Sequence, residues 1–125
     1  MKISRIETIH LGDVSHLLFV RVHTDAGLIG HGETYYTPSA VRGFIHEFAS
    51  PLLLGRAPLA VEQHWRTIYE LCAKFGARGV ELRGLSALDV ALWDVLAPTA
   101  PGLGTALLPD LARRPDATLV ESVPT

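Results

Sequence analysis

The sequence predicts an α+β fold: a three-stranded antiparallel β-meander followed by a helical bundle, with a short C-terminal segment packing back on it. Three observations lead there. Residues 2–34 hold stretches rich in β-branched or alternating residues, separated by turn clusters. Residues 38–95 switch to apolar positions three and four apart. A run of strands followed by a run of helices is resolved by packing the helices on one sheet face.

The first strand is read over 2–11, rich in Ile and Thr, and Gly12-Asp13-Val14-Ser15 turns the chain. The second strand, 17–24, alternates well. Thr24-Asp25-Ala26-Gly27 is a hairpin signal, with Gly27 free to take the left-handed conformation that closes a short loop. The third strand is 28–34. A three-residue loop sets Val22 opposite Gly30 and Arg21 opposite His31. One face then carries Leu18, Val20, Val22, Leu28, Gly30 and Gly32. This is the core face, and its glycines let a helix approach closely. The other face carries Phe19, Arg21, His23, Ile29, His31 and Glu33 and reads as polar and solvated.

Thr37 is the expected N-cap of the first helix, with Pro38 at its first position. Val41, Phe44, Ile45, Phe48 and Leu52 form its stripe, and Pro51 and Gly55 punctuate its end. Pro58 is expected to open the next helix, striped by Val61, Trp65, Ile68 and Cys72. Gly76 and Gly79 mark a loop. Ser86 with Asp89 resembles a capping box ahead of the stripe Leu85, Leu88, Leu92 and Val95. Pro98, Pro101, Gly102 and Gly104 break that helix. Residues 109–114 suit a helical turn or two, and 117–123 a final short strand.

The 125 residues suit one domain, with enough apolar content to bury a core. A net charge of −2 with interspersed signs argues against a nucleic-acid or membrane-surface partner. A single cysteine, Cys72, forms no internal disulfide, which suits a reducing cytoplasm. The N-terminus lacks an apolar signal core.

Several segments carry more than pattern. They are Lys2-Ile3-Ser4-Arg5-Ile6-Glu7-Thr8, the stretch from Phe19 through Gly32-Glu33-Thr34, Pro51-Leu52-Leu53-Leu54-Gly55-Arg56, His64-Trp65, and Ser86-Ala87-Leu88-Asp89-Val90-Ala91-Leu92-Trp93-Asp94-Val95. In this order and spacing they resemble the N-terminal capping domain of the enolase superfamily, in its mandelate racemase and muconate lactonizing enzyme group. The Gly32-Glu33-Thr34-Tyr35-Tyr36 stretch leans toward the sugar-acid dehydratase-like members. Residues 101–105, 108–110 and 114–117 resemble the segment that returns after that family's barrel. The resemblance therefore implies a capping domain over 1–96 and its C-terminal segment over 97–125. The barrel is absent between them, with a join between Leu96 and Pro101. A (β/α)8 barrel takes roughly 250 residues, so these 125 cannot hold one.

The resemblance implies α-proton abstraction next to a carboxylate in full-length relatives, with Mg²⁺ stabilising the enediolate. The base and the metal ligands belong to the missing barrel, so it implies no catalytic residue and no metal ligand in this chain, and no cofactor is expected. What it carries over is substrate closure by the loops at 12–16 and 33–37, with His16, Tyr35 and Tyr36 as contact residues. The surface that a barrel would cover is expected to associate with a second copy or with a barrel-bearing partner. The sequence leaves three readings open: a non-catalytic binding module, an enzyme completed in trans, and a truncated product without selected function.

Blander readings stand beside these. His23, His31 and Glu33 lie close enough to suggest a metal, but a solvated face explains them without one. His16, Tyr35 and Tyr36 also suit ordinary loop positions. Asp89 and Asp94 lie about 140° apart on their helix, so they are no paired-acid site. Asp89 reads as a capping acid and Asp94 as exposed or salt-bridged. Trp65, Trp93, Phe44 and Phe48 read as core, and Cys72 as a small buried hydrophobe.

Overall fold

The computed structural model describes residues 1–96 throughout and 117–124 as backbone. Strands β1 (Ile3–Leu11), β2 (Leu17–Thr24) and β3 (Ile29–Tyr35) form the antiparallel meander. Then come α1 (Pro38–Gly43), a π-helical stretch (Phe44–Ala49), α2 (Ser50–Leu53), α3 (Val61–Ala73) and α4 (Val80–Leu96). A last strand, β4 (Ala117–Pro124), pairs antiparallel with β1, giving the sheet order β3-β2-β1-β4. The breaker cluster, the turn expected at 109–114 and the join expected after Leu96 lie outside the described residues. No helix among the described residues is long and apolar enough to cross a membrane.

The hairpin register is the expected one. Val22 stands opposite Gly30 and Arg21 opposite His31. Gly27 closes the loop at φ +84°, where a side chain would be strained. The Thr24 amide donates to the Leu28 carbonyl.

Ile6, Leu18, Val20 and Val22 point from the sheet into one core, where they meet Val41, Ile45, Leu53, Ile68, Leu88 and Leu92. Each such side chain, fully buried, contributes roughly 1.5–3 kcal/mol. The glycines decide how close α4 comes. A Cβ built on Gly30 would stand 1.9 Å from the Ala91 carbonyl oxygen, and one on Gly32 2.0 Å from that of Ala87. Helix backbone lies directly on strand backbone there, with alanines facing glycines.

Helix boundaries depart from the sequence reading. Thr37 is no side-chain cap: it sits at φ 46°, ψ 57°, and its side chain makes no capping hydrogen bond. Its carbonyl instead accepts from the Ala40 and Val41 amides. Pro51 does not end the first helical run. It lies inside α2, directly after the π-helical stretch. Proline lacks the amide that would continue the ladder, and a widened turn absorbs that loss. Pro58 precedes α3 rather than opening it, since the helix begins at Val61.

Ser86 is exposed and lies well inside α4, which starts at Val80, so no capping box forms. Within α4, Gly84 sits hard against Phe44: an added Cβ would meet that ring at 2.5 Å. Trp93, read as core, is 51% exposed, because Leu92 and Val95 take the inward positions of the last turns. Phe44 and Phe48 stack 5.2 Å apart at the core margin, and Trp65 is partly buried. Cys72 is buried as expected, and burial, then Glu81, raises its thiol pKa.

The outer sheet face is not the open polar surface the alternation suggested. Glu7 is buried and accepts charge-assisted contacts from Arg5 (2.6 Å) and His23, with Arg21 at 4.0 Å. Glu7 pairs with Arg21 in the β1–β2 register, and Arg21 with His31 in β2–β3. A transverse row of ionisable groups thus crosses three strands, with Glu7 gathering Arg5 and His23 while His31 turns to Asp94 of α4.

Candidate functional site at the loop cluster

The loop after β1 and the loop after β3 meet at one end of the sheet. The register brings Leu17 opposite Tyr35, and the Tyr36 amide donates to the His16 carbonyl at 2.9 Å. The first loop is held from beneath by the His10 ring, whose Nε2 lies 2.6 Å from the Ser15 carbonyl oxygen. A carbonyl only accepts, so that nitrogen carries the proton.

The second loop is strained. Tyr36 and Thr37 are consecutive non-glycine residues at positive φ, 72° and 46°. Left-handed backbone costs an L-residue about 1–2 kcal/mol, more so when β-branched. Replacing Thr37 with asparagine, which tolerates this conformation, is expected to raise stability by about 1 kcal/mol. The urea midpoint reads it, and an unchanged or lower midpoint would show that the threonine is not strained.

Tyr35 and Tyr36 are 57% and 61% exposed, and His16 is exposed beside them. The structure therefore does bring the three loop residues read from the sequence into one cluster. It adds a fourth. The Arg83 guanidinium, from the second turn of α4, lies 4.6 Å from the Tyr35 ring centre and 5.3 Å from that of Tyr36. Its Nη1 donates to the Tyr35 carbonyl at 3.3 Å. Arg83 is 48 positions from Tyr35 in sequence, and no motif spacing links them. Two aromatic rings and a guanidinium thus share this end of the sheet, joined to His16 through its backbone carbonyl.

The metal candidates part company. His23 turns to Glu7, and His31 to Asp94, whose carboxylate accepts the His31 amide at 3.0 Å and lies 3.4 Å from Nδ1. Glu33 is exposed. Among the described residues no group of three or more His, Cys, Asp or Glu is placed to hold a metal ion. Asp94 thus ties α4 to the edge strand, while Asp89 sits half-buried on the same helix with its pKa raised by burial.

Burial lowers the His31 pKa below 6.5, helped by Arg21 and His23 and opposed by Asp94. The unfolded chain then binds the extra proton first as pH falls below about 6.5, so His31 costs stability on the acid side. Melting temperature is expected to fall between about pH 7.5 and 5.5, and to fall less in His31→Gln. Equal slopes in both proteins would contradict this assignment.

Elsewhere the described surface carries a cleft of about 300 Å³ between the end of α2 and α3, lined by Leu52, Arg56, Gln63, His64, Thr67 and Ile68 among others. His64 spans it to the Ala57 carbonyl at 2.7 Å.

Comparison with known proteins decides the family. The family model of the mandelate racemase / muconate lactonizing enzyme N-terminal domain matches residues 6–108. The chain belongs to this family. Among relatives of the mandelate racemase / muconate lactonizing enzyme N-terminal domain, it is 33% identical over 86 residues to the arabinonate dehydratase of Saccharolobus solfataricus. That match covers 67% of this chain and 23% of the relative. A crystal structure of an Agrobacterium tumefaciens enolase of the mandelate racemase subgroup superposes with a TM-score of 0.72 at 39% identity. It covers 77% of this chain and 26% of that one. A mandelate racemase/muconate lactonizing protein of Paracoccus denitrificans, complexed with magnesium, gives 0.70 at 28% identity, covering 76% and 26%. The chain thus spans about a quarter of the length of the relatives it matches.

Proposed function

We propose that the chain is a cytoplasmic capping module, catalytically silent by itself, whose loop cluster closes over a hydroxy-acid or sugar-acid site carried by a barrel-bearing partner. The observation behind this reading is the hydrogen bond from Tyr36 to His16, which joins the two loops into one exposed surface beneath Arg83. Relatives that include an arabinonate dehydratase support an acid sugar as the ligand class. The exposed rings of Tyr35 and Tyr36 are apolar area that such a partner would cover. Magnesium belongs with the barrel side in this reading.

The test is arabinonate dehydration with Mg²⁺ by the chain alone, by the S. solfataricus relative lacking its own N-terminal domain, and by the two mixed. Expected is turnover only in the mixture. Turnover by the chain alone, or a mixture no better than its parts, would overturn the reading.

A further inference from the structure

We propose that α4 guards the free edge of the sheet at β3, and that the strand it keeps out is β4 of a second copy of this chain. Among the described residues β3 is the last strand on its side, so part of its backbone has no neighbouring strand to bond. Such an edge is a ready template for another chain.

Asp94 reaches past β3 and accepts the His31 amide at 3.0 Å. That amide points away from β2, so Arg21 and His31 form a pair without ladder hydrogen bonds. The same alternation turns the backbone groups of Glu33 and Tyr35 to the open side. At the far end the Arg83 Nη1 donates to the Tyr35 carbonyl at 3.3 Å. Arg83, Ala87, Val90 and Asp94 follow one another three or four apart, on one side of α4. The helix rises about 16 Å from Arg83 to Asp94, and the strand about 13 Å from His31 to Tyr35. One stripe of α4 thus spans the edge and holds both of its ends. Between them Glu33 is exposed and adds a charge, a further device against pairing.

The occupant follows from what α4 covers. Its Ala87 and Ala91 carbonyls sit on Gly32 and Gly30 of β3 itself. Two β3 edges paired at about 4.8 Å would bring two such helices into the same space, since helix axes need about 8–10 Å. β4 ends the sheet on the other side, with β1 and β2 between it and β3. Its addition to the β3 edge of another copy is head-to-tail and repeats without closing.

Light scattering of the full chain and its variants over a concentration series tests this. Expected in Asp94→Ala is a mean mass that climbs with concentration above that of wild type, with no fixed stoichiometry. Asp94→Asn keeps an acceptor for the His31 amide and stays at the wild-type mass. Glu33→Pro added to Asp94→Ala returns the mass to that of wild type, because proline removes an outward amide that β2 does not use. In the wild-type chain the His31 amide exchanges with solvent about tenfold or more slowly than that of Glu33, although both face the open edge, the range of a charge-assisted hydrogen bond. Association that survives Glu33→Pro, or an Asp94→Ala chain with native circular dichroism and the wild-type mass, overturns the proposal. Equal exchange of the two amides overturns it without any variant having to fold.

Discussion

Gly30→Ala is expected to destabilise the chain by about 3 kcal/mol or more, a large fraction of the total stability of a domain this size. The atom that an added methyl would strike is the Ala91 carbonyl oxygen, 1.9 Å from the ideal Cβ position. That oxygen belongs to helix backbone, so no side-chain rotation relieves the clash. Either α4 lifts off the sheet or β3 bends away. Lifting α4 would expose Leu88 and Leu92, whose burial closes the core. Gly32→Ala should behave alike, since its methyl meets the Ala87 carbonyl oxygen at 2.0 Å. Gly43→Ala is the control. Nothing lies within 4 Å of that position and it ends α1, so alanine should be neutral or stabilising there by about 0.5–1 kcal/mol. Urea unfolding followed by circular dichroism separates the cases. A Gly30→Ala chain as stable as wild type would mean that α4 does not pack on β3 at this distance.

The second large effect is at Glu7. Glu7→Ala is expected to cost about 3 kcal/mol, the range seen when one partner of a buried ion pair is removed. The carboxylate is 5% exposed and is the shared partner of Arg5, His23 and Arg21. Its removal leaves Arg21, whose Nε is already buried without an acceptor, facing His31 across the next strand. Arg5→Ala should cost much less, about 1 kcal/mol or under, because Arg5 is 43% exposed and water takes over its role. A Glu7→Ala loss no larger than that of Arg5→Ala would show the row to be solvated after all.

The strand half of this fold is the part most readable from sequence. Asp25-Ala26-Gly27 fixes the loop length, loop length fixes the register, and the register places Gly30 and Gly32 on the face that α4 meets. The helical stripes were readable for the same reason: burial repeats with the helical period at Val41, Ile45, Ile68, Leu88 and Leu92. The errors come from forces that local patterns do not carry. Thr37 has the chemistry of a cap, but its backbone is left-handed where a cap needs the extended region, and its side chain makes no capping bond. Ser86-Asp89 has the spacing of a capping box, yet α4 already runs from Val80, so Ser86 falls in mid-helix where no amide is left to cap. Nothing in the pattern of the first strand singles out Glu7: Arg5 stands two positions away on the same strand, and only the cross-strand register brings Arg21 and His23 to it. The loop cluster was half legible. His16, Tyr35 and Tyr36 follow from where loops fall between strands, whereas Arg83 reaches them through the tertiary packing of α4.

The measurement that bears most directly on the proposed role is amide chemical-shift mapping of the full chain titrated with arabinonate. If the two loops form a lid for acid sugars, the perturbed amides lie at residues 12–16, at 33–37 and at Arg83, while the cleft between α2 and α3 stays silent. Perturbation centred on Arg56, Gln63 and Thr67, with both loops unmoved, would place the ligand elsewhere and contradict the lid.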